Sequence, residues 1–200
     1  MLERIPQRER RDLLVAWAAI AVAFTFLYIR DFANPVGLLI VFVLSLLTVG
    51  IGFVLHELAH KFAAMHFGYW AEFQKDNVML LMAVILAALV GVVFAAPGAT
   101  MIYGATTRRE NGIISAAGPA TNLGLCALFA GVFFAGLSLS SYWVVVLGAM
   151  GVQINAMLAA FNMLPVSVLD GRKVLAWNKG VFAVLFVASF GAVIAALTFL

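Results

Sequence analysis

The chain is poor in charge, poor in acids and almost without cysteine. Only 10% of its 200 residues are charged and 65% are hydrophobic, whereas a soluble domain carries about a quarter charged and roughly half apolar residues. With Cys126 as the sole cysteine, no internal disulfide and no thiolate metal cluster can form. No internal repeat, low-complexity tract or soluble domain is visible. These shortages place the chain in the membrane class before any motif is read, and a single integral membrane domain over 1–200 is expected. Much of the formal charge of +3 comes from Arg4, Arg8, Arg10 and Arg11. A basic flank ahead of an apolar helix marks a cytoplasmic end, so the lipid bilayer and not nucleic acid is the expected partner. The first apolar run, Leu13 to Ile29, is too long for a signal-peptide core and has no obvious small-residue cleavage site. It reads as a retained span.

What the chain has instead is long apolar runs. About 20 helical residues cross the hydrocarbon. Segments 12–30, 36–66, 113–137, 142–164 and 180–200 qualify, and 78–96 is a sixth candidate. The expected fold is an all-α polytopic membrane protein with about five to six transmembrane helices. Charge decides how the sixth run behaves. If 78–96 crosses fully, Arg108, Arg109, Arg172, Lys173 and Lys179 fall outside. If 78–107 enters and returns, eleven of the twelve basic residues lie inside, Arg30 being the exception. The second topology obeys the positive-inside rule. Pro97-Gly98 fits a reversal and Thr100 to Tyr103 a returning strand, so a membrane-embedded re-entrant or β-hairpin segment is expected near 78–107. Irregular backbone at that depth must be covered by protein or face a wet cavity, so the segment should pack on a functional site.

Inside the 36–66 run stands His56-Glu57-Leu58-Ala59-His60. On a helix, positions i and i+4 share a face. Two imidazoles so placed can bind one Zn²⁺, with Glu57 beside the metal's open position. With 3 histidines in the chain, a chance match is expected about once in a thousand such sequences. Ionisable groups at membrane depth cost several kcal/mol each and mark functional sites. Three within five residues need a compensating partner, which a dication supplies.

Two residues compete for the third ligand. His66 stands where an extended zinc-protease motif would place a histidine, but Ala63 replaces the glycine that lets such a chain turn back. If the helix continues, His66 lies about 120° round and about 9 Å along from His60, away from the metal. Asp170 closes the segment Asn162-Met163-Leu164-Pro165-Val166-Ser167-Val168-Leu169-Asp170-Gly171. Pro165 breaks the preceding helix, and Gly171 is expected to relax the backbone after the carboxylate. Only the re-entrant topology puts Asp170 on the side of the histidines, so charge and metal binding select the same arrangement.

The sequence here resembles the site-2 proteases, intramembrane zinc metalloproteases. Three stretches carry the likeness: His56-Glu57-Leu58-Ala59-His60, Gly118-Pro119-Ala120-Thr121-Asn122, and Asn162 to Gly171 as Asn-x-x-Pro-x-x-x-Leu-Asp-Gly. The matching core runs from about 36 to 175. The resemblance implies one catalytic Zn²⁺ on His56, His60 and Asp170, with Glu57 as acid/base. It implies that Asn122 and Asn162 contact substrate or the oxyanion. It also implies a transmembrane protein as substrate, in a cell membrane, with the N-terminus and active site toward the cytoplasm. The PDZ and CBS domains of many relatives are not seen. A zinc transporter would need further acidic residues in its spans, which carry almost none. A membrane protease with a glutamate as third ligand has only Glu72 and Glu110 to draw on, both outside confident spans.

Overall fold

The computed structural model describes residues 4–27, 34–91 and 98–200. It is mostly helical: α1 (Gln7–Leu27), α2 (Pro35–Ser45), α3 (Ile51–His66), α4 (Asn77–Val90), α5 (Arg108–Ser138), α6 (Tyr142–Asn162), α7 (Asp170–Trp177) and α8 (Lys179–Phe199), with strands β1 (Trp70–Lys75) and β2 (Gly98–Tyr103). Local chemistry fixes many of the helix starts. Asn34 caps α2, with Pro35 as its first residue. The Asp76 carboxylate accepts from Val78 and Met79 N–H, and Asn178 does the same for Gly180 and Val181. Thr107 and Glu110 form a reciprocal capping box on α5. Such caps satisfy donors that a helix leaves open.

Among the described residues, four helical stretches are long and apolar enough to cross a membrane: Pro35–His66, Arg108–Ser138, Tyr142–Asn162 and Lys179–Phe199. The chain therefore has the helices of a membrane protein. Against the expected five to six, the 12–30 run is helical in α1 as far as Leu27 but α1 is not among these four, its first turns carrying Arg8, Glu9, Arg10, Arg11 and Asp12; residues 28–30 lie outside the described residues. The 36–66 run is not a plain helix. A π-helical turn, Leu46–Gly50, joins α2 to α3, and the Trp17 indole N–H donates to Leu46 O at 2.9 Å. A π turn misaligns one carbonyl from the ladder, and Trp17 supplies the replacement donor.

The 78–107 region differs from the expected local hairpin. Its helix α4 has 14 residues, about 21 Å at 1.5 Å per residue, against about 30 Å of hydrocarbon. Pro97 and the reversal placed there lie outside the described residues, but β2 returns where expected. Its partner is β1, which precedes α4 and which periodicity did not mark. The strands pair antiparallel from Trp70↔Tyr103 to Lys75↔Gly98. Lys75 and Gly98 are thus cross-strand neighbours at the end of the sheet.

Long-range contacts gather the basic helix ends together. Glu9 at the start of α1 pairs with Lys61 near the end of α3, both fully buried. Tyr69, just after α3, donates to Glu110 at the start of α5 (2.9 Å). Gly112 of α5 lies against Trp177 at the end of α7. One apolar core joins Leu13, Ile20, Val49, Phe53, Phe73 and Ile154. A second joins Cys126, Phe129, Val152, Ala156 and Ala196. In the α5–α6 hairpin, Gly148 and Gly151 let Phe133 and Phe129 approach closely, the small-residue packing usual between membrane helices.

Candidate metal centre

Four helices converge at the end of α3. His56 and His60 stand on its inner face, with their Nε2 atoms 3.0 Å apart. Asp170, the first residue of α7, brings Oδ2 to 3.1 Å from His60 Nε2 and 3.4 Å from His56 Nε2. All three residues are buried. Tetrahedral zinc with ligand bonds of about 2.0–2.1 Å needs donor atoms about 3.3 Å apart. The triangle meets that spacing, and the trio can hold a metal ion.

The ring partners fix which nitrogen is free. His60 Nδ1 lies 2.8 Å from Ile114 O, a carbonyl that only accepts, so Nδ1 carries the proton and Nε2 keeps a lone pair. His56 Nδ1 lies 2.6 Å from Asn122 Oδ1. The Asn122 amide cannot be reversed, because its Nδ2 donates to Gly52 O and to Asn155 Oδ1, both at 3.1 Å. Asn155 is held in turn by Gly151 O at 2.9 Å. Both Nε2 lone pairs therefore point at the Asp170 carboxylate.

Bare backbone makes the room. A Cβ on Gly118 would collide with His60 Nε2 and stand 2.6 Å from His56 Nε2. Gly118 and Pro119 lie within α5. Proline has no N–H to give to the carbonyl four residues back, which belongs to Ser115 on the site wall. Gly171 is helical, and it is bare because the Met163 carbonyl lies where its Cβ would be. That contact seats α7, and with it Asp170, against the end of α6.

A cavity of about 120 Å³ opens over the trio, lined among others by Glu57, Thr100, Ser115, Asn162 and Lys173. Glu57 Oε2 accepts from Thr100 N–H at 3.0 Å and from its hydroxyl at 2.9 Å. Lys173 Nζ is 3.9 Å from Asp170 Oδ1, the oxygen turned from the histidines. Asn162 reaches the wall, but its Nδ2 donates back to Leu158 O at 3.0 Å. Asn122 is fully buried behind His56 and is not part of the wall. In this structure its amide is committed to the ligand ring, away from where a substrate carbonyl would sit. His66 ends an unbroken α3 and is not in the donor group. Sequence reasoning missed Asn155 and Thr100. An asparagine inside an apolar span was a usable signal for the first; nothing local marks the second.

A protein of Methanocaldococcus jannaschii with the name "putative zinc metalloprotease" is 41% identical over 185 residues, covering 90% of each chain. The chain belongs to the family of that zinc metalloprotease. No family model matches the chain, and no solved structure does. For this zinc metalloprotease relative, the trio of His56, His60 and Asp170 is the group that can take the metal.

Proposed function

We propose that the protein is an intramembrane zinc metalloprotease of the site-2 type, cleaving peptide bonds within transmembrane helices of other membrane proteins. One observation carries the reading: Asp170, over a hundred residues from the histidines in sequence, puts Oδ2 within 3.4 Å of both Nε2 atoms at the end of a bundle of membrane-length helices.

His56, His60 and Asp170 would hold one zinc ion, which when bound would supply an acidified water and a Lewis acid for the scissile carbonyl. Glu57 takes the proton of the attacking water and delivers it to the leaving amine. The Asn122–Asn155 chain keeps the His56 ring turned to the site. The resemblance assigned Asn122 to the oxyanion; its hydrogen bonds favour the supporting role. Asn162 and Lys173 are among the polar groups on the wall that substrate can meet. A helical substrate has its carbonyls tied up in its own hydrogen bonds, so it must unwind locally before attack. Beyond Thr100, whose outward N–H is taken by Glu57, the outer edge of β2 can receive the unwound stretch by strand pairing.

The pairing of Lys75 with Gly98 supports the topology in which 78–107 returns to its own side. The gathered basic ends support an N-terminus and active site toward the cytoplasm of a cell membrane. Glu57→Gln tests the enzyme reading. Zinc stays at one per chain by metal analysis, while cleavage of a reconstituted membrane substrate falls by about 10²-fold or more. Loss of the zinc, or full activity, defeats the role given to Glu57.

A further inference from the structure

We propose that Thr100 is the positioning residue for Glu57: it holds one carboxylate oxygen so that the other is presented to the reacting water. The proposal deepens the protease reading and rests on Glu57 being the acid/base.

The register carries the argument. Phe73 and Thr100 are cross-strand partners. Phe73 N–H leaves the sheet to Glu9 Oε1 at 3.1 Å, and Thr100 N–H leaves it to Glu57 Oε2 at 3.0 Å. This is the type of antiparallel pair whose N–H groups point away from each other. Here both outward donors end on a glutamate. The Glu9 contact ties β1 to the buried Glu9–Lys61 pair and hence to α3. Phe73 packs edge-on against Phe53 of α3, centroids 5.6 Å apart, one turn before the motif. The sheet is thus seated on the helix that carries Glu57, and Thr100 arrives at a defined height.

The side chain adds a second hold. The Thr100 hydroxyl reaches Glu57 Oε2 at 2.9 Å and Glu57 O at 3.1 Å. It has one proton and serves one of them at a time. Among the described residues no protein donor reaches Glu57 Oε1, and the residue lines the cavity beside the trio. A glutamate has several rotatable bonds, and a carboxylate held at one oxygen by two donors loses most of its freedom to turn from the site. Proton transfer needs the base within hydrogen-bond reach of the water, which this hold secures. If the strand instead restrained the glutamate, loosening it would raise the rate.

The test uses the full chain as purified, with its metal, and a reconstituted transmembrane substrate. Thr100→Val keeps the backbone N–H and the shape but removes the hydroxyl. The expected result is a fall in kcat of about tenfold, less than the roughly 10²–10⁴-fold a general acid/base supplies, because the backbone N–H still holds Glu57. KM and zinc content stay unchanged, and Thr100→Ser restores the rate. An unchanged or raised kcat, loss of zinc, or failure of serine to restore overturns the proposal. A second measurement needs no cleavage. Thermal midpoints are compared for Thr100→Val, Glu57→Ala and the double variant. Valine should lower the midpoint more while the Glu57 side chain is present than after Glu57→Ala, which keeps only the residue-57 carbonyl as acceptor; additive shifts overturn the contact. Full cleavage by Glu57→Gln would defeat the enzyme reading but leave this cycle intact, so the two failures are told apart.

Discussion

The two sides of the site are built differently. On the ligand side, each donor is fixed by buried partners on α5, α6 and the end of α6: Ile114 O behind His60, Asn122 and Asn155 behind His56, and Met163 O against Gly171 beside Asp170. On the strand side, the base Glu57 is met by a two-stranded sheet. The polar ties of that sheet to the helices run mainly through Glu9 and Glu57. Helix packing alone preforms the donor triangle, whereas the orientation of the base depends on the pairing of β1 with β2. Metal binding and base positioning should therefore fail separately.

The hardest break on the ligand side is Asp170→Ala. The remaining histidines offer two donors where a zinc site needs three protein ligands. Bound zinc should drop to near zero by metal analysis and cleavage should vanish with it. His66→Ala should leave both untouched. The reverse outcome would move the third ligand to His66 and discard the triangle.

On the strand side, the largest effect comes from Lys61→Ala. Glu9 and Lys61 are both 0% exposed, and the lysine also lies 5.3 Å over the Trp70 ring. Removing one member leaves a buried charge unpaired, which costs about 3–5 kcal/mol. Thermal unfolding in detergent should register the loss. Replacing the pair together, as Glu9→Gln with Lys61→Met, should recover a good part of it, because the desolvation of two charges is removed with their attraction. If the single variant is as stable as the parent, the sheet is not anchored through Glu9.

The helices and the donors were legible in sequence for a common reason. Apolar runs of membrane length and ionisable groups within them each oppose a simple solvent rule, so they stand out against any background. The His pair needed only helical periodicity, and Asp170 only the choice of topology. The sheet was half legible. Gly98 to Tyr103 follows a turn signal, but in Trp70 to Lys75 the alternation of Ala71 and Phe73 with Glu72 and Gln74 covers only four residues, too short a run to announce a strand. Its pairing is decided by burial of Ala71 and Phe73 against α1 and α3, a tertiary fact. The same holds for Thr100, whose partner lies 43 residues away. The π turn at Leu46–Gly50 depends on Trp17, 29 residues before the carbonyl it serves. What makes glycine necessary at 171 is also tertiary, the Met163 carbonyl lying where a Cβ would be.

A smaller effect probes how far rigidity on the ligand side extends. Asn122→Ala removes the acceptor of His56 Nδ1–H, and loss of such a partner costs about 10–100-fold in metal affinity. The site should keep zinc at saturating concentration but release it sooner to a competing chelator. Asn155→Leu is one step more remote. It removes the acceptor of one Asn122 N–H, while Gly52 O still holds the other. The expected loss is a few-fold. The two substitutions lie on one chain of hydrogen bonds, so they should not add: the double variant should bind zinc no more weakly than Asn122→Ala alone. An additive result would mean that Asn155 acts through helix packing, with Gly52 or Leu158 as its route, and not through the His56 ring.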